Sequence, residues 1–356
     1  MRILLGGSPC THWSIAKKER ETTSSGQGWE LFLNYKIALD KFKPDYFLYE
    51  NVASMSKDIK EEITKTLGVA PILINSALVS AQQRKRLYWT NIPNVSQPAD
   101  LGIMLQEILE SGVDVQEKAY CLTASYYKAS VENTLKKHQR TMSAELVQRL
   151  DYMRPLRVKE GTKKGFTEIN IGECVDLTQP NSKTRRGRRM AEKSNCTCTS
   201  NEFYEYLGVL NDSVYKVKNG QITIKNKTYP IRLVDGFYII RKLTVEECKK
   251  LQTVPDAYIM PCSKTQNYKM LGNGWTVKVI SHILSHIPDL QEQELEILSM
   301  YDGMSCGQIA LHELNANIKS YTAYEIDKYA IQTTQTNFPQ TIQRGDAFQI
   351  REEKDI

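Results

Sequence analysis

No apolar run in the 356-residue sequence approaches membrane-spanning length. No internal repeat is present. The eight cysteines, at positions 10, 121, 174, 196, 198, 248, 262 and 306, include no Cys-x-x-Cys pair, so the spacing of a structural zinc site is missing. Cys196 and Cys198 are the one close pair, and without a second pair or a nearby histidine they read as structural. No metal is expected, and reduced thiols point to a cytoplasmic setting. The N-terminus, Met1-Arg2-Ile3, passes into an apolar strand without the pattern of a signal peptide, so a soluble intracellular protein is expected. The net charge of +6 is modest, and a polyanionic partner is indicated by where the basic residues cluster rather than by their sum. At this length the chain accommodates one large domain and a smaller one.

What is present begins at the apolar run Ile3-Leu4-Leu5, a short buried strand, followed at once by Gly6-Gly7-Ser8-Pro9-Cys10. Open α/β sheets place their chemistry at such strand ends. A free cysteine there is either a small buried hydrophobe or a nucleophile. A second apolar strand, Tyr46 to Tyr49, ends in Glu50-Asn51-Val52, and Gln82-Gln83-Arg84-Lys85-Arg86 precedes a third, Leu87-Tyr88-Trp89. A thiol, a carboxylate and two guanidinium groups at successive strand ends are able to converge on one substrate. The same arginines would raise the thiolate population of Cys10.

These three blocks, in this order, resemble the cytosine-C5 DNA methyltransferases, whose signatures are a Pro-Cys loop, a Glu-Asn-Val triplet and a Gln-x-Arg-x-Arg run. Arg241-Lys242-Leu243-Thr244 with Glu247-Cys248 and Leu251-Gln252 looks like the family's next block, and Leu271-Gly272-Asn273-Gly274 like its last. The resemblance implies an α/β, Rossmann-like, S-adenosylmethionine-dependent methyltransferase fold with a mostly parallel sheet and a smaller target-recognition domain. It implies Cys10 as the nucleophile at C6 of cytosine, Glu50 at N3 and the exocyclic amine, Arg84 and Arg86 at O2 and a neighbouring phosphate, and Asn51 as a further member of the catalytic set. Ser14 and Gln82 fall on the DNA side of the same blocks. Because C5 is unreachable inside a duplex, the nucleotide must be flipped out.

Along the chain, Lys17 to Gly28 has the composition of a mobile loop, which the resemblance implies closes over DNA. Helical spacing covers Trp29 to Phe42 and Ile59 to Leu67, and Ile72-Leu73-Ile74 is strand-like, a βαβ rhythm. From Pro93 to about Tyr238 the alternation decays, marking a different domain. Its densest feature is Lys183 to Arg189, where Arg185, Arg186, Arg188 and Arg189 suit phosphate and guanine-edge contact, against the alternative of a solvated loop. Leu243 to Leu251 reads as a helix opened by Thr244 with Glu247 in capping-box position. Gly272-Asn273-Gly274 reads as a turn before the apolar helix Val277 to Ile287.

The end of the chain is unexpected. Ile297 to Tyr301 is a strand, Asp302 to Gly307 a glycine-bearing turn, Gln308 to Leu314 a helix, and Tyr321 to Tyr324 a second strand ending in Glu325. A carboxylate about twenty positions after a strand and glycine turn is the logic of a ribose-binding βαβ unit. This segment resembles the cofactor-binding opening of the same family. The resemblance carries Tyr301, Gly303, Met304, Ser305 and Cys306 to the amino-acid end of the cofactor, Glu325 to the ribose, Ile326 to the adenine face and Asp346 with Ala347 to the adenine edge. Pro9, Leu31 and Asn273 fall to the pocket wall. Cofactor blocks last and the cysteine block first is the order of a circular permutation.

The expected organisation is a catalytic part at 1–110, a target-recognition domain at 111–265, a returning helix at 266–288, a connector at 289–296 and a cofactor part at 297–356. The implied activity is methylation of double-stranded DNA by a prokaryotic or phage-encoded enzyme, monomeric on DNA, of the restriction-modification kind. An RNA cytosine methyltransferase and a non-catalytic DNA-binding relative are the alternatives. The long interval before the Leu-Thr block argues against the first, and the intact Cys, Glu and Arg blocks against the second. A zinc deaminase is excluded by the missing Cys-x-x-Cys and His-x-Glu.

Overall fold

The computed structural model describes residues 1–15, 19–147, 153–191, 202–206, 209–210 and 214–353. Cys196 and Cys198 lie outside them, as do three residues after Ile15 and the final three of the chain. Two compact units form, one from Met1–Glu110, Gln116–Met142 and Lys242–Ile356, the other from Ser111–Val115 and Ser143–Arg241.

The larger unit is built on a seven-stranded sheet. Its strands are β1 (Arg2–Gly6), β2 (Tyr46–Val52), β3 (Ile72–Asn75), β4 (Lys85–Thr90), β5 (Leu295–Met300), β6 (Ile318–Tyr324) and β7 (Ile342–Gln343), in the spatial order β7-β6-β5-β1-β2-β4-β3. β1 is central and parallel to both neighbours, with Ile3 opposite Ile297 on one side and Tyr46 on the other. Ile3, Leu4 and Leu5 are fully buried, as a strand covered on both faces requires. The sequence expects a mostly parallel sheet, and β7 through β2 are parallel. β4 runs antiparallel to both β2 and β3 because the short Ser76–Arg84 link from β3 leaves no length for a crossover helix.

Helix α1 (Gln27–Phe42) follows the cysteine loop and buries Phe32, Tyr35, Ala38 and Phe42 against the sheet. It packs so closely that a side chain at Gly6 would sit 2.7 Å from the Tyr35 ring. Helix α2 (Lys57–Leu67) is capped by the Ser56 hydroxyl and turns Ile59, Ile63 and Leu67 inward. Helix α3 (Val245–Leu251) has the expected capping box, with Thr244 and Glu247 reciprocally bonded. Next come α4 (Lys264–Asn273), α5 (Val277–Leu284), α6 (Cys306–Glu313) and α7 (Lys328–Asn337), the last capped by Asp327.

Three expectations are corrected. Residues 116–142 and 242–265 belong to the larger unit, not to a second domain at 111–265. Their irregular, polar sequence is held by side-chain bonds that leave no periodic signature. The Leu122 N–H reaches Gln82 Oε1 at 3.1 Å, and the Glu110 N–H reaches Glu247 Oε1 at 2.8 Å. Gly272 and Asn273 are the last turn of α4, where glycine serves close approach rather than a turn. The connector is shorter than 289–296, since Leu295 and Glu296 already pair in β5.

The smaller unit is antiparallel. Its six-stranded sheet runs Lys227–Pro230, Gln221–Ile224, Val214–Lys218, Gly236–Lys242, Met142–Val147, Val113–Asp114 in space. A hairpin, Leu156–Lys159 with Phe166–Ile169, a small three-stranded sheet around Cys174–Asp176 and a two-stranded pair, Met153–Arg154 with Val209–Leu210, complete its described strands.

A side chain at Gly272 would meet the backbone of Thr123 and Ala124 at 2.1 and 2.3 Å. Gly272→Ala is therefore expected to destabilise the protein by about 3 kcal/mol. A urea-unfolding midpoint unchanged from the parent would contradict the close packing of α4 on this loop.

Candidate functional site

β1 leads to the right of the sheet through α1 and β2, whereas β5 leads to the left through α6 and β6, so the connections part between these two neighbouring strands. A crevice opens at their carboxyl ends, where such sheets bind ligands. It is a cavity of about 470 Å³, lined on one side by Pro9, Cys10, Glu50 and Arg86, and on the other by Gly303, Glu325 and Asp346. Tyr301, Met304, Cys306, Ile326, Ala347, Leu31 and Asn273 also line it.

The cysteine loop is fixed from beneath. Asn51, fully buried, donates to the Ser8 carbonyl at 3.0 Å, and the Ser8 hydroxyl pairs with the Tyr49 hydroxyl at 2.6 Å. Asn51 is therefore a loop anchor rather than a group that meets substrate. Cys10 starts a short 3-10 turn, and its carbonyl accepts from Trp13 and Ser14 N–H groups, which places Ser14 beside the loop.

Arg86 Nε pairs with Glu50 Oε1 at 2.9 Å, and both side chains are largely buried. The other Glu50 oxygen accepts the Trp275 indole N–H at 3.1 Å. Arg84 is spent differently. Its two terminal nitrogens donate to the carbonyls of Leu122, Gly272 and Gly274 at 2.8–3.4 Å. With its donors on backbone, Arg84 ties β4 to α4, and it also lines the cavity beside Cys10, Glu50 and Arg86. Gln82, expected on the DNA side, is likewise buried, bonded to Leu251, Gln252 and Leu122, and is not presented to solvent.

Burial pushes the Cys10 thiol above its ordinary value, with Arg86 opposing and Glu50 reinforcing the rise. The expectation that nearby arginines raise its thiolate population is not met in this state, because burial outweighs Arg86 and Arg84, which favour the charge. Cys121, which the sequence does not single out, goes the other way. Burial opposes its ionisation, but Arg84 and Arg86, with nitrogens 3.4 and 3.8 Å from its sulfur, bring it below the usual range.

Across the crevice, Glu325 is held by three main-chain donors, Gly303 N–H on Oε2 and Ile326 and Asp327 N–H on Oε1, each at 2.8 Å. Gly303 has φ +59° and open space where a side chain would stand. Ile326 is 72% exposed at the rim. Asp346 caps the Ala347–Arg351 turn through the Phe348 N–H. Ser305 is the exception among the expected cofactor residues: it is fully buried, bonds Gln308 and does not line the cavity. Burial also pushes Cys306 up to about 12.

In the smaller unit the arginine cluster divides. Arg188 is fully buried and donates to the carbonyls of Asp176 and Gln179, so it is a framework residue. Arg185 pairs with the buried Asp176, and Arg189 pairs with Glu173, which it holds at about 2. Arg186 is exposed, braced by the Gly161 carbonyl, and shares a shallow surface cavity with Lys159 and Lys183. Arginine density in the sequence does not reveal this division, because Asp176 and Glu173 lie in an earlier strand segment.

Among the described residues no group of three or more His, Cys, Asp and Glu side chains is placed to hold a metal ion, and no helix is long and apolar enough to cross a membrane. One crevice of the Rossmann-like sheet thus holds a thiol, a carboxylate held by a guanidinium and an indole, and a second carboxylate held by main-chain donors after a glycine turn.

A model of the C-5 cytosine-specific DNA methylase family matches residues 1–289. The chain is 29% identical over 319 residues to the DNA (cytosine-5)-methyltransferase DRM1 of Arabidopsis thaliana, spanning 88% of this chain and 40% of that protein. It is 40% identical over 53 residues to the Type II methyltransferase M.MspI of Moraxella sp, spanning 15% of this chain and 13% of that one. Less than half the length of each relative is therefore matched. Among solved structures, the Entamoeba histolytica methyltransferase EhMeth aligns over 80% of this chain and 76% of that one, at 15% identity and a TM-score of 0.38. The chain belongs to the C-5 cytosine-specific DNA methylase family.

Asp302, at the turn after β5, is raised to about 6, chiefly by burial, against hydroxyl groups of Ser299, Tyr321 and Ser305 that favour its charge. Its folded value lies above the unfolded one, so it binds its proton more tightly in the native state. Stability should then fall as pH rises from about 4 to about 6, by about 2 to 3 kcal/mol. In Asp302→Asn the fall should be absent, which urea unfolding at several pH values checks.

Proposed function

We propose that the chain is a DNA (cytosine-5-)-methyltransferase in which Cys10 adds to C6 of a cytosine rotated out of the duplex, so that C5 accepts a methyl group from S-adenosylmethionine. The observation that carries this reading is the convergence of Cys10, the Glu50–Arg86 pair and the Glu325 turn on one cavity. The residues of the crevice fit the cofactor. Glu325, pinned by three main-chain donors, offers its remaining lone pairs to ribose hydroxyls, and the bare Gly303 leaves room for a close ligand. Ile326 supplies an apolar face for adenine, and Asp346, with Ala347, an edge for its amine. When bound, the sulfonium supplies an electrophilic methyl group.

Cytosine C5 is a poor nucleophile until electron density is pushed onto it by addition at C6, the role of Cys10; after C5 takes the methyl group, loss of its proton expels the Cys10 thiolate and restores the C5–C6 double bond. In the structure Arg86 favours the Cys10 thiolate and Glu50 opposes it. A base whose exocyclic amine donates to Glu50 offsets part of that opposing charge, so that Arg86, still paired with Glu50, favours the thiolate more. Entry of the base and activation of the thiol are thereby one event. Arg84 and Asn51 contribute by holding Gly272, Gly274 and Ser8 where the cavity needs them.

The order of blocks is a circular permutation of one enzyme. Supporting this, the strands beyond residue 294 lie in the same sheet as β1, and the N-terminal amine donates to the Glu294 carbonyl at 2.8 Å. A circular permutation also implies that Met1 and Ile356 are neighbours, but Ile356 lies outside the described residues.

The covalent step has a chemical signature. DNA carrying fluorine at C5 of the target cytosine blocks elimination, so enzyme, S-adenosylmethionine and that DNA should form a complex that survives denaturing electrophoresis. Cys10→Ala should lose the complex and methylation by at least about a thousandfold while still binding DNA, because positioning contacts are mostly to phosphates. Methylation retained in Cys10→Ala, or an adduct mapping to Cys121, would overturn the assignment.

For the smaller unit, Arg186→Ala and Lys183→Ala should each weaken DNA binding across sequences and reduce the slope of log affinity against log salt by roughly one. Arg188→Ala should instead lower the melting temperature, since it leaves buried carbonyls unpaired. Fluorescence titration over a salt series, with thermal melts, separates the two.

A further inference from the structure

Arg86 accounts for one oxygen of Glu50, and the other is held by Trp275, whose indole N–H lies 3.1 Å from Oε2. Trp275 occupies the link between α4 and α5, far from Glu50 in sequence. Its main-chain N–H meets the sulfur of Cys306, the first residue of α6 at the cofactor turn. Its ring lies beside two glycines. A side chain at Gly7 would lie 3.5 Å from ring atom Cζ2, and one at Gly307 would lie 3.7 Å from Cζ3. The same added carbon at Gly7 would lie 2.8 Å from the Glu50 carbonyl. One indole therefore bonds the carboxylate and lies between Gly7 of the cysteine loop and Gly307 in the first turn of α6.

We propose that Trp275 is a positioning residue for methyl transfer: its N–H, opposite Arg86, fixes the rotation of the Glu50 carboxylate, and its ring sets that carboxylate relative to both the Cys10 loop and the cofactor turn. The proposal rests on the reading of Glu50 as the group that engages the cytosine ring. A carboxylate with one donor rotates about its terminal bond, whereas donors on both oxygens leave a single plane from which N3 is met. Rigid orientation of this kind acts in the transition state and adds little to ground-state binding. Neither ligand has to touch Trp275 for this to hold.

The cleanest variant replaces Trp275 by benzothienylalanine, which keeps the bicyclic ring but has sulfur in place of the N–H. Trp275→Phe is the simpler companion. Both should lower kcat by about ten- to hundredfold and leave KM for DNA and for S-adenosylmethionine within about twofold. In single-turnover trapping with C5-fluorinated DNA, the adduct should form more slowly by the same factor. In a Glu50→Gln background the Trp275 substitutions should have no further effect, because the partner is gone. An unchanged kcat in the benzothienylalanine enzyme would overturn the proposal, as would an equal loss in the parent and Glu50→Gln backgrounds. If Glu50→Gln itself keeps full kcat, the underlying reading of Glu50 fails, an outcome distinct from the failure of Trp275 alone.

Discussion

Everything at the site depends on one pairing, the parallel ladder that joins β1 to β5 from Arg2–Glu296 through Gly6–Met300. It brings residues nearly three hundred positions apart into adjacent strands that end together. Both strands then give way to glycine-containing turns, Gly6-Gly7 and Asp302-Gly303, and the connections leave in opposite directions. The crevice is a consequence of that divergence. Closing so long a loop costs entropy that rises only slowly with length, so two full strands of buried apolar side chains are sufficient to offset it.

The polar groups around the crevice fall into two sets with different physical jobs. Asn51, Gln82 and Arg84 are buried and have their polar atoms satisfied by protein, chiefly by backbone carbonyls. They hold turns that lack a regular hydrogen-bond ladder. Glu50, Arg86 and Glu325 are held by protein on one side and still face the cavity. A signature block of the family thus mixes structural and reactive members, and spacing alone does not tell them apart. The same division recurs in the arginine cluster, where Arg188 is interior and Arg186 is presented to solvent.

The Cys10–Arg86–Glu50 arrangement is also a resting state. Burial favours the neutral thiol, and the guanidinium that would favour the thiolate already faces a carboxylate. Cys121, with no such carboxylate against its sulfur among the described contacts, is the more acidic thiol yet does not line the cavity.

The sequence by itself determined the strands, most helices and the reactive blocks, because these are local. Apolar runs of four or five residues mark β1 and β2, Thr244 with Glu247 marks a capped helix, and Pro-Cys, Glu-Asn-Val and Gln-x-Arg-x-Arg are contiguous. It also placed Glu325 correctly at the end of a strand after a glycine turn. Only the tertiary structure decided the rest. The antiparallel β4, the return of residues 116–142 and 242–265 to the larger unit, the withdrawal of Arg84, Gln82, Ser305 and Arg188 into the interior, and the pairing of Trp275 with Glu50 all depend on partners distant in the chain. A residue's type states which hydrogen bonds it is able to make, but which are made is set by the backbone carbonyls and carboxylates that folding brings within about 3 Å.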